Sequence, residues 1–246
     1  RYYGLMYVLG FILFYLWMRY NIKKGVLDIE PQVMENLFTI MILGVLIGGR
    51  LGYVLFYNPG FYFQHPLEIL KTWHGGMSFH GGALFTVLMV WWYARRQGID
   101  FWQIIGLTSV IAPLGLFFGR IGNFINGELY GRPSDVPWAI IFPQSGDGIP
   151  RHPSQLYEAL LEGLIMFGVL LWLYRRKASY PVLFAVAISG YGLVRIIVEF
   201  FRQPDDHLGF ILLDWITMGQ LLSVVMVLAG LGILVYYSGF KKKETL

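Results

Sequence analysis

Of the 246 residues, 56% are hydrophobic and only 14% charged, with a mean hydropathy of +0.56. A soluble domain carries about 25% charged residues, so this composition excludes one and points to a chain that lives in lipid. The net charge of +4 is spread over short, separated basic clusters, which excludes nucleic acid as a partner, and the absence of cysteine excludes disulfides, thiolate metal sites and a cysteine nucleophile within the chain.

At about 20 apolar residues per crossing, the pattern predicts an all-α, polytopic membrane protein with seven transmembrane helices. They fall at residues 2–20, 33–57, 79–93, 101–125, 154–174, 180–201 and 211–237. The first apolar run is about 18 residues, too long for a signal-peptide core, and no small-residue cleavage site follows it. The chain begins at Arg1 rather than Met, so further sequence is expected before it. The third helix is the shortest, and is expected to tilt or to begin in the preceding loop. Pro113 inside the fourth predicts a kink.

The loops alternate in charge. One side receives Arg19, Lys23, Lys24, Arg95, Arg96, Arg175, Arg176, Lys177 and Lys241 to Lys243. The other has Arg1, Lys71, Arg132, Arg151 and Arg202, so the count is eleven against five. The positive-inside rule then puts the N-terminus outside and the C-terminus inside, as an odd number of crossings also requires. Residues 1–246 are expected to form a single membrane-embedded domain. Its longer outward loops, 58–78 and 127–153, form an arm and a small cap, the first with a short surface helix at 65–73 and a Gly75-Gly76 turn. No internal repeat is evident.

Polar residues inside these spans are the informative ones. A guanidinium does not give up its proton, so Arg120 must be paired or must hold an anion. An ionisable side chain at such depth costs about 2.5–3.5 kcal/mol or more, which marks a functional site by default. With the predicted orientation, Arg120 and Asn123 fall in the last two turns of the fourth helix. Arg195 lies two turns before the end of the sixth, and His80-Gly81-Gly82 opens the third. All three groups lie in the outer half of the bilayer, which points to one site facing outward.

Tyr191, Arg195, Glu199 and Arg202 share a helix face, and Glu199 reaches both arginines. Two readings stand there: a structural ion pair beside an interfacial arginine, or part of an anion site. Arg120 has no acid at i±3 or i±4, so its partner comes from elsewhere. Two arginines with too few carboxylates between them suit a phosphate, which Arg grips in a bidentate fork. Gly119, Gly122 and Gly127 read first as close helix packing. His80 is either a hydrogen-bonded structural residue or a proton acceptor near neutral pH.

Ser154 is expected to cap the fifth helix, with Glu158 facing the interior in a capping and packing role. No nucleophile elbow accompanies Ser154 and His152, so a hydrolase is not indicated. The five histidines lack metal-ligand spacing, and no metal is expected. Arg50, within the second helix, suits a lipid headgroup or a carboxylate. Tyr53, Tyr57, Trp73, Trp91 and Trp92 read as interfacial aromatics.

Read together, five motifs resemble the bacterial prolipoprotein diacylglyceryl transferase family. They are Arg1-Tyr2-Tyr3-Gly4-Leu5-Met6-Tyr7; Phe79-His80-Gly81-Gly82; Gly119-Arg120-Ile121-Gly122-Asn123-Phe124-Ile125-Asn126-Gly127-Glu128 with Gly131; His152-Pro153-Ser154-Gln155-Leu156-Tyr157-Glu158; and Arg195 to Asp205. They run in order from end to end of the chain, and the segment before Tyr3 is where the comparison stops. The resemblance implies a multi-pass enzyme of the bacterial cytoplasmic (inner) membrane with its active site facing the outer leaflet. It implies transfer of the sn-1,2-diacylglyceryl group of phosphatidylglycerol to the lipobox cysteine of a preprolipoprotein, giving a thioether and glycerol 1-phosphate.

The partners so implied are phosphatidylglycerol, the preprolipoprotein signal peptide with its lipobox cysteine, and membrane lipid, with no cofactor. The implied catalytic residues are Arg120, Arg195 and His80. The implied lipid-binding set is Arg120, Arg195, Tyr3, Asn123, Asn126, Glu128, Gly131, Glu199 and Arg202. The attacking thiol belongs to the substrate, so a cysteine-free chain is compatible with thioether formation. Two rival readings of the same residues are an anion or lipid transporter with an outer-leaflet site and a non-catalytic lipid-binding scaffold. A transporter needs polar residues across the whole bilayer, whereas here they cluster in one half.

Overall fold

The computed structural model describes residues 2–204 and 216–243, apart from the side chains at positions 2, 3, 7, 74 and 238–243. Helices α1 (Tyr2–Lys23) and α2 (Pro31–Phe56) are followed by a short α3 (Pro59–Gln64), then α4 (Phe79–Gln97) and α5 (Phe101–Asn126). Two-residue strands β1 (Ile140–Ile141) and β2 (Pro150–Arg151) pair antiparallel, Ile140 opposite Arg151. A helical stretch then runs from Ser154 to Arg175 as α6 (Ser154–Glu158), a π-helical segment (Ala159–Ile165) and α7 (Met166–Arg175). Helices α8 (Tyr180–Val198) and α9 (Met218–Lys243) complete the chain.

Local chemistry sets several of these boundaries. Pro31 opens α2 at a position where its missing N–H costs nothing. The Ser78 hydroxyl accepts the Gly81 N–H to cap α4, and Gly98 closes that helix at φ +67°. Asp100 accepts from the Trp102 N–H at the start of α5. At α9, the Thr217 hydroxyl accepts from the Gln220 N–H while the Gln220 side chain accepts from the Thr217 N–H, a reciprocal capping box.

Among the described residues, six helices are long and apolar enough to cross a membrane: Gly4–Lys23, Pro31–Phe56, Phe101–Asn126, Ser154–Arg175, Tyr180–Val198 and Met218–Tyr237. The expected third span forms as α4 but falls short of that standard, because it opens on His80-Gly81-Gly82 and closes on Arg95-Arg96-Gln97. Several boundaries differ from expectation, among them the end of the sixth span and the start of the last. The sixth span ends at Val198 rather than 201, with Phe200 and Phe201 in turn bonds to Ile197 and Val198. The last span begins at Met218, after its capping box; residues 211–215, where it was expected to begin, lie outside the described residues.

The chain groups into two compact units, Asn21–Ile105 and Arg1–Tyr20 with Gly106–Leu246. In the first, α2 meets α4 along a stripe of glycines. A Cβ on Gly48 would lie 2.6 Å from the Gly81 carbonyl and one on Gly52 2.5 Å from the Gly81 Cα, so the two backbones touch there, a small-residue crossing suited to lipid.

Arg50 in this unit corrects its sequence reading, since its guanidinium is taken up by backbone carbonyls rather than by a carboxylate. Its Nε donates to Ile69 O at 2.8 Å, Nη1 to Gly75 O and Gly76 O at 2.6 and 3.0 Å, and Nη2 to Glu68 O and Lys71 O at 2.6 and 3.3 Å. All three nitrogens are thus spent on backbone carbonyls, with the Tyr62 ring under the guanidinium at 5.0 Å. That explains why the expected helix at 65–73 appears instead as 3-10 turns at Pro66–Leu70 and Thr72–His74: the carbonyls a longer helix would use point at Arg50. Lysine offers three donors and no fork. Arg50→Lys is therefore expected to raise amide hydrogen exchange across residues 66–76 about 10-fold or more, equivalent to roughly 1.5 kcal/mol or above for a lost bond to a charged donor. Unchanged exchange in that segment would refute the hub.

In the second unit, Val110, Met166, Leu170 and Leu183 form a buried core shared by α5, α7 and α8, with Trp17 of α1 packed on it and donating to Leu107 O at 2.9 Å. Helix α9 lies close along α8, where Cβ atoms on Gly192 and Gly230 would each fall 2.7 Å from a carbonyl of the other helix. Pro113 sits inside α5.

Candidate active site

The polar residues of the second unit gather where α5, the π-helical segment and α8 face one another. Gly163 permits it: a Cβ there would lie 2.6 Å from the Phe117 Cβ, so α5 passes closely, one turn before Arg120. A π segment widens the helix and is frequent at functional sites. It separates Glu158, at its start, from Met166, and it carries Glu162 inward; both carboxylates are buried, at 1% and 0% exposure.

Arg120 approaches Glu158 Oε2 with its Nε at 2.5 Å and Glu162 Oε2 with its Nη2 at 3.4 Å. Arg195 shares those acids, donating from Nη1 to Glu158 Oε1 at 3.1 Å and lying 4.0 Å from Glu162 Oε1. Its Nη2 is 2.7 Å from Glu199 Oε2, whose carboxylate also accepts from the Thr217 hydroxyl at 2.9 Å and lies 3.9 Å from Arg202. The expectation of too few carboxylates is therefore corrected: Glu158 bridges the two central arginines, and Glu162 joins them. The sequence did carry a signal for Glu162, an acid four residues after Glu158 on the same face of an apolar helix. Tyr191, one turn before Arg195, is buried beside this cluster.

Asn123, one turn beyond Arg120, is buried at 3% exposure, and its Oδ1 has no hydrogen-bond partner among the described residues. Gly119 is not a packing contact, since a Cβ there would meet nothing within 4 Å. Gly127 ends α5 with φ +69°, the left-handed conformation a glycine takes cheaply. Beyond it, Asn126 donates to Glu128 Oε1 at 3.3 Å; these two pair with each other at the edge of the cap rather than with the arginine cluster.

The fourth motif binds this turn to the cluster. Ser154 does not cap its helix; its hydroxyl donates to Leu129 O at 3.1 Å, and the first turn starts after Pro153 with no side-chain cap. Gln155 donates to Glu128 O at 2.6 Å. These residues are committed to holding 128–129, while Glu158 three positions on takes the arginines. Gly131 is wedged by backbone: its N–H donates to His152 O at 2.8 Å, it bridges Arg202, and a Cβ would fall 2.6 Å from Phe201 O. Arg132 then donates to the carbonyls of Arg202 and Glu199 at 2.9 and 3.3 Å, tying the cap to the end of α8.

In the cap, Arg151 pairs with Asp147 and lies over the Tyr130 ring at 5.0 Å. The Arg151 hydrogen bond, helped by the Ser145 hydroxyl and the Ile149 N–H, holds the Asp147 carboxyl well below the usual carboxylate range, so this clasp stays charged at any physiological pH.

His80 is the second residue of α4, half-buried, with the Phe79 ring edge-on at 5.9 Å, and it belongs to the other unit. The side chain of Tyr3 lies outside the described residues. Glu128 is exposed.

A buried set of paired arginines and acids within apolar helices marks a functional site by default. A sequence profile of the family described as prolipoprotein diacylglyceryl transferase matches residues 1–236. The chain belongs to the prolipoprotein diacylglyceryl transferase family. Among its relatives, the phosphatidylglycerol–prolipoprotein diacylglyceryl transferase of Bordetella avium is 51% identical over 94% of this chain and 88% of its own. The enzymes of the same name from Geobacter sulfurreducens and Desulfotalea psychrophila are 50% and 49% identical, covering 97% and 100% of this chain and 91% and 92% of theirs. As a member of the prolipoprotein diacylglyceryl transferase family the chain is a transferase of lipoprotein biosynthesis, and its apolar helices suit a multi-pass membrane protein.

Proposed function

We propose that this chain moves the sn-1,2-diacylglyceryl group of phosphatidylglycerol onto the lipobox cysteine of a preprolipoprotein, forming a thioether and releasing glycerol 1-phosphate. The observation that carries the reading is the pair of guanidinium groups, Arg120 and Arg195, joined through Glu158 among buried residues of apolar helices. In the reaction a sulfur–carbon bond forms and a carbon–oxygen bond breaks. The bonding pair leaves on the phosphate oxygen, and the thiol proton passes to a base. Charge therefore builds on the departing phosphate, where preoriented guanidinium groups stabilise it better than water does. Asn123, with its unsatisfied oxygen, would accept from a hydroxyl of the headgroup glycerol. Glu199, pinned by Thr217, would hold Arg195 in place, and Arg202 would add positive charge beside it.

Losing the cysteine proton at pH 7 costs about 2 kcal/mol from an ordinary thiol value near 8.5. His80 is the residue proposed to take it, on the strength of its motif and its place at the start of α4. His80→Asn is expected to lower turnover with a lipobox peptide about 100-fold or more, typical of general bases. Near-normal turnover would assign the base elsewhere.

The membrane arrangement proposed is seven crossings, α4 included, in the bacterial inner membrane. The N-terminus is outside, the C-terminus inside, and the site level with the outer leaflet, with the loops 58–78 and 127–153 facing outward as arm and cap. The charge asymmetry of the loops supports that orientation. The test of function is direct: purified protein is incubated with phosphatidylglycerol vesicles and a lipobox peptide, and the peptide is weighed by mass spectrometry. A mass gain of one diacylglyceryl group with release of glycerol 1-phosphate is expected; a peptide of unchanged mass overturns the reading.

A further inference from the structure

Arg120, Arg195 and Arg202 face Glu158, Glu162 and Glu199, so three formal positive charges meet three negative ones. A phosphate entering this balanced and buried set brings surplus negative charge, which a low-dielectric site tolerates badly. One carboxylate has to give up its place, and the contacts single it out. Glu158 touches both central arginines, at 2.5 and 3.1 Å. Glu199 is fixed from two sides, by Arg195 at 2.7 Å and by the Thr217 hydroxyl at 2.9 Å.

Glu162 is held differently. Its contacts are long, 3.4 Å to Arg120 and 4.0 Å to Arg195, and its Oε1 has no hydrogen bond among the described residues although the side chain is fully buried. Glu158 Oε2 and Glu199 Oε2 also lack a hydrogen bond, but they sit 2.5 and 2.7 Å from an arginine nitrogen, whereas Glu162 Oε1 lies 4.0 Å from Arg195, which makes this acid the least secured member of the set. It also sits in the π-helical segment, where the backbone ladder is irregular. The guanidinium it touches belongs to the most accessible of the three arginines: the Arg120 side chain is 14% exposed, against 6% for Arg195 and 11% for Arg202.

We propose that Glu162 is a placeholder anion, a positioning residue that occupies Arg120 Nη2 in the empty enzyme and yields that donor to the phosphate of the substrate. This rests on the reading of a phosphatidylglycerol donor given above. While the site is empty, Glu162 keeps the guanidinium oriented and neutralised. After transfer it competes with the phosphomonoester for the same nitrogen and so hastens product release, a step that limits many enzymes.

The test uses the full chain in detergent micelles with glycerol 1-phosphate as probe, its affinity read by calorimetry. Glu162→Gln keeps the shape and removes the charge, and is expected to bind glycerol 1-phosphate about tenfold more tightly. The same variant should show kcat and KM for phosphatidylglycerol falling together, the signature of a ground state bound too well. Equal affinity in wild type and variant overturns the placeholder role while leaving the phosphate site standing. Absence of binding in both overturns the phosphate site and the placeholder with it. Should Glu162→Gln not fold, Glu162→Asp, which withdraws the carboxylate by one methylene, is expected to bind the probe about threefold more tightly; unchanged affinity there also overturns the proposal.

Discussion

Arg120→Lys is expected to lower transfer to a lipobox peptide about 100-fold in kcat/KM, equivalent to roughly 2.7 kcal/mol of transition-state stabilisation. The substitution preserves the charge, so a purely electrostatic role would survive it. Geometry makes the difference. Arg120 reaches Glu158 from Nε and Glu162 from Nη2, two separate nitrogens of one plane. An ammonium is a single point: it can stay with Glu158 or reach toward a phosphate, and it cannot hold a fixed fork on both. The variant should remain folded, because the charge balance of the cluster is unchanged, and a melt of the purified protein in detergent verifies that. Near wild-type kcat/KM in a folded Arg120→Lys enzyme would remove the bidentate grip from the mechanism.

The largest effect on stability is expected from Glu158→Ala. Glu158 is 1% exposed and contacts Arg120 and Arg195 at 2.5 and 3.1 Å, so it separates two guanidinium groups that would otherwise repel across a dry interior. Removing one partner of a buried ion pair costs about 3–5 kcal/mol, because the remaining charge is left uncompensated. Here two charges are affected, with Glu162 the nearest relief. The expected outcome is a clear fall in the apparent melting temperature together with loss of transfer. Glu128→Ala, at an exposed residue of the cap edge, serves as the control and should melt like wild type. A Glu158→Ala protein as heat-resistant as wild type would show that the cluster is not a structural keystone.

The two expectations draw on different levels of information. Arg120 stood out in the sequence because an ionisable residue in an apolar run carries a cost that something must offset, and that argument needs no coordinates. From the sequence, Glu158 faces the interior in a capping and packing role, and Glu162 has no stated part. Their contacts depend on the rotation of three helices about their axes and on a π segment that no periodicity of 3.6 anticipates. Arg50 shows the same limit more sharply. Its partners are the backbone carbonyls of Glu68, Ile69, Lys71, Gly75 and Gly76. Every residue carries a carbonyl, so the side-chain identities in that loop could not announce which five would converge. Ser154 looked like a cap from its position before an apolar run, yet the Leu129 carbonyl competes for its hydroxyl.

By itself, the sequence determined the solvent this protein lives in, the approximate placement of its long helices and the two arginines that need a partner. Each follows from sums over neighbouring residues: apolar length against bilayer thickness, and the cost of a charge that cannot be neutralised. The tertiary structure alone decided which acids those arginines meet, how Gly131 and the Ser154-Gln155 pair lock the cap, and why residues 65–73 do not form a helix. Those outcomes rest on distances between segments far apart in the chain, where a shift of one ångström separates a charge-assisted hydrogen bond from none.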